Sequence, residues 1–173
     1  ELVKRVGLAI TDNTVAQQPE LSDEQRVRAE SGKLSVAIED RESVYAIEIV
    51  IPDSTGILST VAGVLNLLRL DVRSARTKSV GSSAVMEWIV IPDPHAPVLD
   101  ESKLHDEITR ALKSRTSLSE RIQARIDAYA ELPSIPVPDP VVETFLDAAT
   151  DATIIEVRSH DRPALLFGIG DSI

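Results

Sequence analysis

Residues 53–58, with the sequence Asp-Ser-Thr-Gly-Ile-Leu, form the stretch best suited to holding a small ligand. They follow residues 45–52, a run rich in Ile and Val that predicts a strand. From Leu58 to Leu68 apolar residues recur at steps of three and four, which predicts a helix. The first N–H groups of a helix have no partner within it, so they suit the carboxylate of a small molecule. The same pattern also fits an ordinary turn between a strand and a helix.

Two residues of this turn have predicted conformational roles. Asp53 is expected to cap the helix through its side chain. Gly56 lets the backbone turn closely or lets another molecule approach it. Both roles are compatible with a ligand site and with a simple connection.

The turn occurs twice in the chain. Residues 47–58 align without gaps on residues 155–166, with four identical positions and similar polarity at most others. Both segments lead into an apolar pattern of helical spacing. Such an internal repeat predicts a tandem array of one module, with the second copy represented by its first strand, turn and helix start.

The other candidate residues are weaker evidence for a functional site. The dipeptide His160-Asp161 suggests metal binding, but His95 and His105 supply no further ligands at a matching spacing. Arg73 and Arg76 could bind an anion, although solvated arginines on a strand are the more common explanation. No nucleophile and base stand at a suggestive spacing, so no catalytic residue is predicted.

Composition restricts the class of partner. The formal net charge is −10, which argues against unspecific binding to nucleic acid or to an anionic membrane surface. No apolar run approaches the roughly 20 residues of a membrane span. Apolar residues make up 43% of the chain, as in ordinary globular proteins, and there are no cysteines, which is compatible with the cytoplasm.

The remaining elements alternate between helices and strands. Residues 2–10 have a helical spacing, and Ser22 with Gln25 forms a capping box that predicts a short helix. Apolar residues stand at every second position from 34 to 38, which predicts a strand that forms a hairpin with residues 45–52. A second hairpin is predicted at residues 72–91, with Met86 and Trp88 on one of its faces.

The second half of the chain is predicted to be mainly helical. A helix begins near Asp100, and another is expected to begin at a capping box formed by Ser117 and Glu120. After a stretch rich in proline, residues 141–146 are predicted to supply the fourth strand of the sheet.

The strand, the Asp-x-x-Gly turn, the helix and a strand that opens DVRSA together resemble the ACT domain, a βαββαβ regulatory module that commonly binds amino acids. Three stretches narrow the resemblance: LSDEQRVRAESGKLSV at 21–36, STVAGVLNLLRLDVRSA at 59–75 and EVRSHDRPALL at 156–166. They are similar to the C-terminal region of the bifunctional enzymes that nucleotidylylate and de-nucleotidylylate the PII nitrogen-signalling protein. The resemblance covers residues 22–173.

The resemblance implies a glutamine sensor without catalytic residues of its own. In that family the enzyme adds a uridylyl or adenylyl group to PII when glutamine is scarce and removes it when glutamine is plentiful. The catalytic nucleotidyltransferase and HD hydrolase domains lie upstream, and any Mg²⁺ belongs to them. We therefore expect this chain to be part of a longer cytoplasmic protein, to bind no cofactor, and to meet PII through the parent enzyme.

The resemblance also implies the ligand-binding residues. In the first copy they are Asp53, Ser54, Thr55, Gly56, Ile57 and Leu58, and in the second they are His160, Asp161, Arg162, Ala164 and Leu165. Asp53 or Asp161 would accept from the ligand ammonium, and backbone N–H groups would hold its carboxylate. Ala164 stands where the first copy has Gly56, and an Ala with negative φ would leave the turn open.

The expected fold is α+β, ferredoxin-like, with helices on one face of the sheet. Residues 1–33 are expected to be a linker with helices from an upstream domain, 34–149 a first ACT domain with a helical insertion, and 150–173 the start of a second. Unpaired sheet edges predict a homodimer. Two alternatives remain open: the ACT region of another enzyme controlled by an amino acid, and a dimerisation module that binds no ligand.

Overall fold

The computed structural model describes residues 21–130, 138–145, 154–159 and 162–172, and the helix predicted at residues 2–10 lies outside them. The described elements are α1 (Asp23–Glu30), β1 (Ser35–Arg41), β2 (Val44–Pro52), α2 (Ile57–Leu67), β3 (Leu70–Val80), β4 (Ser83–Pro92), α3 (Glu101–Lys113), α4 (Arg115–Ala130), β5 (Val141–Phe145), β6 (Ile154–Arg158) and α5 (Leu165–Ser172). The chain divides into two compact units. The larger contains β1–β4 and the five described helices, and the smaller contains β5 and β6.

The larger unit is built on a four-stranded antiparallel sheet with the strand order β1-β2-β4-β3. The predicted hairpin of β1 and β2 is confirmed, with Ile38 opposite Ile47. At the outer side of β1, the Glu101 carboxylate accepts the N–H of Ile38 at 3.0 Å, so α3 covers part of this edge. The α+β, ferredoxin-like architecture predicted from the sequence is confirmed.

The edge strand next to β2 is β1, and the prediction that residues 141–146 fill this position is wrong. β5 pairs instead with β6 in a separate two-stranded sheet, with Val141 opposite Arg158. Only the Glu42–Ser43 turn separates β1 from β2, so this hairpin closes a very short loop. A strand that arrives after α4 would have to displace that local pairing. The domain limits expected from the sequence stay predictions.

The main core lies between one face of the sheet and helices α2, α3 and α4. Ile47 and Ile49 of β2 and Met86 and Trp88 of β4 are almost completely buried there. The sequence left open which face of the second hairpin these helices cover, and it is the face of Met86 and Trp88. Leu104 of α3 is equally inaccessible, so the sheet and helices form one continuous apolar cluster.

Helix α1 lies on the opposite face, so the expectation that helices occupy only one face is wrong. Ala29 packs against Val50 and Val85 in a second, smaller cluster. The buried Ser83 hydroxyl donates to the Ala29 carbonyl at 2.7 Å, which ties this helix to β4. The predicted capping box of Ser22 and Gln25 at the start of α1 is confirmed.

Helix α4 begins three residues earlier than predicted. It starts at Arg115, and the Ser117 N–H donates to the Ser114 hydroxyl at 3.3 Å. Ser114, not Ser117, is therefore the capping residue, because α3 ends at Lys113 and leaves a single residue between the helices. Leu118 and Ile122 of α4 are buried in the main core, so this predicted insertion is an integral part of the unit.

Candidate functional site

The first turn, residues 53–56, joins the end of β2 to the start of α2. Gly56 is the residue before the helix and has φ +77° and ψ +14°, a left-handed conformation that residues with a Cβ rarely adopt. No side chain caps α2. Among the described residues, the N–H groups of Leu58 and Ser59 have no acceptor, while the Thr60 N–H donates to the Gly56 carbonyl at 3.0 Å. The turn therefore keeps donors at the helix start, as the sequence suggested.

Asp53 does not cap the helix, which corrects the prediction. Its Oδ2 accepts from the Ser79 hydroxyl of β3 at 2.8 Å, and its N–H donates to the Ser82 carbonyl at 2.9 Å. The left-handed Gly56 holds the position before α2, so Asp53 stands three residues too early to cap it. Its carboxylate is exposed and held beside the end of β3, where it remains available to a cation.

The second turn repeats the backbone geometry of the first at a spacing of 108 residues. Ala164 has φ +59°, a positive value like that of Gly56. Helix α5 begins at the next residue, Leu165, in the same way that α2 begins at Ile57. The Gly168 N–H donates to the Ala164 carbonyl at 3.0 Å, the counterpart of the bond at the first turn. The sequence argument for an open second turn rested on a negative φ at Ala164, whereas the observed φ is positive. The turn keeps its shape in spite of the Cβ.

The order of elements in the second copy parallels that in the first, and the tandem array of one module stays a prediction. β5, β6 and α5 follow one another as β1, β2 and α2 do, and both strand pairs are antiparallel. β5 thus corresponds to the strand that precedes the first copy. His160 and Asp161 lie outside the described residues, and Arg162 is exposed.

Helix α5 of the second copy packs on α2 of the first. A Cβ built on Gly63 would come within 2.9 Å of Phe167, and one on Gly170 within 3.0 Å of the Ser59 Cβ. The absence of side chains at these two glycines lets the helices approach closely. Phe167 and Ala164 are half-buried against the main core.

Arg115, the first residue of α4, stands over the first turn. Its Nη2 donates to the Asp171 carboxylate at 2.8 Å and to the Ser59 hydroxyl at 3.3 Å. A Cβ on Gly56 would overlap its guanidinium. Sequence reasoning missed this residue, and no local signal points to it, since 56 residues separate it from Ser59 and only the packing of α4 brings them together.

The remaining candidates do not converge on a site. Arg73 pairs with Asp71 at 3.0 Å, Arg76 is exposed on the edge strand β3, and His95 lies in an exposed loop. Within the described parts of the chain, no three acidic or histidine side chains come together in a way that could hold a metal ion. None of the helices described here has the length and apolar character needed to cross a membrane.

Most of the chain is similar in sequence to enzymes that share one name. It is 33% identical over 132 residues to a bifunctional uridylyltransferase/uridylyl-removing enzyme of Streptomyces coelicolor, a match that covers 72% of this chain and 16% of that protein. Enzymes of the same name from Mycobacterium tuberculosis and Novosphingobium aromaticivorans are 29% and 27% identical, over 96% and 69% of this chain. No family model matches the sequence, and no solved structure matches it either.

These relatives are much longer than the chain, which spans only 14–22% of the length of the curated proteins it matches. The matched part is therefore a region of each enzyme and not the whole of it. The chain is therefore similar to one region of bifunctional uridylyltransferase/uridylyl-removing enzymes, and its larger unit has a ferredoxin-like fold.

Proposed function

We propose that this chain is a regulatory region that senses glutamine on behalf of a bifunctional enzyme modifying and demodifying the PII protein. The two copies are ACT modules, and the first turn is the ligand site. The observation that carries the proposal is the geometry of residues 53–59. Among the described residues, the N–H of the partly exposed Leu58 at the start of α2 has no acceptor, and the turn that leads into this helix carries the exposed carboxylate of Asp53.

This arrangement fits the two charged groups of an amino acid. The Leu58 N–H and the positive end of α2 favour the ligand carboxylate. The Asp53 carboxylate, oriented by the Ser79 hydroxyl, accepts from the ligand ammonium. Ser54, Thr55 and Ile57 line the same turn. Glutamine as the particular amino acid rests on the similarity to the uridylyltransferase/uridylyl-removing enzymes.

Sensing then works as a coupling of free energies. Glutamine binds one arrangement of this region better than another and so shifts the balance between the transferase and the hydrolase of the parent enzyme. The chemistry on PII, with its Mg²⁺, takes place in other domains of the parent. This region contributes binding energy and no catalytic group.

Pairing of two copies is a further part of the proposal. β3 is an edge strand of the sheet with eleven residues, and Ser74, Arg76 and Thr77 on it are exposed. An edge of this length offers free backbone groups to a second chain. Light scattering after size exclusion should give a dimer mass that falls on dilution. A constant monomer mass up to high concentration would contradict the pairing.

Calorimetric titration with glutamine tests the ligand. Glutamine is expected to bind and glutamate to bind much more weakly, and Asp53→Asn should weaken binding at least about tenfold because a charge-assisted hydrogen bond is lost. Asp40→Asn, which removes an exposed carboxylate from the hairpin of β1 and β2, is the matched control and should bind normally. Absence of binding by the unmodified chain, or equal effects of both substitutions, would count against the first turn as the sensor site.

A further inference from the structure

A carboxylate is already held at the first turn by the protein itself. The Asp171 Oδ1 accepts from the Arg115 Nη2 at 2.8 Å, and the same nitrogen reaches the Ser59 hydroxyl. The guanidinium lies so close to Gly56 that a Cβ at this position would have to displace it. An anionic group from α5 therefore stands next to the turn at which α2 begins.

The position of Arg115 is fixed by the fold. Leu118 and Ile122, one and two turns further along α4, are each 2% exposed in the main core. Arg115 itself is exposed, with a side-chain accessibility of 46%, and that of Asp171 is 52%. A helix anchored in the core by Leu118 and Ile122 thus presents a cation to a site that solvent can reach.

The guanidinium has unused capacity for an anion. Its Nη1 makes no hydrogen bond to the described residues, and Asp171 is bound through Nη2 alone. Arginine binds carboxylates most strongly when two parallel N–H groups donate to both oxygens. A free carboxylate can adopt that geometry more easily than one fixed on a helix.

We infer that Arg115 binds the carboxylate of the amino acid at the first turn, and that Asp171 takes the place of this carboxylate when no ligand is bound. The inference rests on the proposed function and deepens it, because it names a residue outside the turn that selects for a carboxylate. Since Asp171 lies on α5, ligand binding at the first copy replaces one of the contacts that hold the helix of the second.

Calorimetry on four forms of the chain tests this exchange: the unmodified protein, Arg115→Met, Asp171→Asn and Glu120→Gln. Arg115→Met keeps the aliphatic stem and should weaken glutamine binding at least about tenfold. Asp171→Asn removes the internal competitor and should tighten it about two- to fivefold, the range of an exposed ion pair. Glu120→Gln, an exposed charge on the same helix, should change nothing.

A second ligand separates binding of the carboxylate from a general effect on the site. The α-amide of glutamine lacks the carboxylate, so its weak binding should be the same with Arg115 and with Met at this position. Circular dichroism and the fluorescence of Trp88 check that each variant is folded.

The outcomes distinguish this inference from the proposed function. Glutamine binding that Arg115→Met leaves unchanged, or that Asp171→Asn weakens, would overturn the exchange and leave the sensor in place. Glutamine binding by the unmodified protein that Asp171→Asn tightens and Arg115→Met weakens would support both. Absence of glutamine binding in all four forms would overturn the sensor, and the exchange with it.

Discussion

Replacing Gly56 by Ala separates the backbone strain of the first turn from the contact with Arg115. A left-handed conformation costs an L-residue about 1–2 kcal/mol, and the less flexible unfolded chain returns about 0.4–1 kcal/mol. The new Cβ must also push the Arg115 guanidinium away from Asp171, which forfeits up to about 1 kcal/mol for an exposed ion pair. Gly56→Ala should therefore lower the free energy of unfolding by about 0.5–2.5 kcal/mol.

Gly81→Ala is the matched control. Gly81 has φ +58°, close to the left-handed value at Gly56, but no atom lies within 4 Å of a Cβ built there. Only the backbone part, about 0.5–1.5 kcal/mol, should be lost. Ala164→Gly is the converse change, since Ala164 already has φ +59°, and it should stabilise the protein by up to about 1.5 kcal/mol.

The assay is urea unfolding followed by the fluorescence of Trp88. It is the only tryptophan of the chain and is completely buried, so its emission reports on the main core. With Met at position 115, the effect of Gly56→Ala should fall to that of Gly81→Ala. An unchanged effect would refute the role assigned to Arg115, and destabilisation by Ala164→Gly would refute the left-handed second turn.

Two further substitutions test the helices that support the site. Partial burial raises the pKa of Glu107, but hydrogen bonds and charges from Arg121 and Arg110 outweigh it and leave the pKa below its usual value of 4.5. Glu107→Gln should cost up to about 1 kcal/mol in the free energy of unfolding at neutral pH. Because the folded-state pKa is lowered, this difference should disappear as the pH falls below 4.5 and through that lowered pKa. A difference independent of pH would contradict this. Ser114→Ala should destabilise α4 by about 0.5–2 kcal/mol, whereas Ser117→Ala should have little effect, and the reverse order in thermal unfolding would restore Ser117 as the cap.

The pattern of apolar residues was enough to predict most strands and helices of the larger unit. The alternation before and after residue 43 predicts the hairpin of β1 and β2, and the spacing from Leu58 onward predicts α2. The capping box at Ser22 predicts α1. These features depend on neighbours within a few positions of one another, so they can be read locally.

The pairing of Val141 could not be predicted in the same way. Its segment has the composition of a strand, but composition does not determine which other strand it pairs with. The hairpin of β1 and β2 closes a much shorter loop and occupies the edge, which leaves β5 to pair with β6. The prediction that helices lie on only one face of the sheet was also wrong. Helix α1 is polar and Ala29 is its one buried residue, so its sequence gives little amphipathic signal.

The sequence by itself determined that the same strand, turn and helix occur twice, 108 residues apart, since a repeat is visible in the order of residues. It also allowed a close turn before α2, because glycine reaches a left-handed backbone at little cost, and the structure shows that Gly56 adopts it. Only the tertiary structure decided that Asp53 bonds to Ser79 and that Arg115 lies over Gly56. Those contacts join residues far apart in the chain, and they exist only because β3 and α4 pack against the elements on either side of the turn.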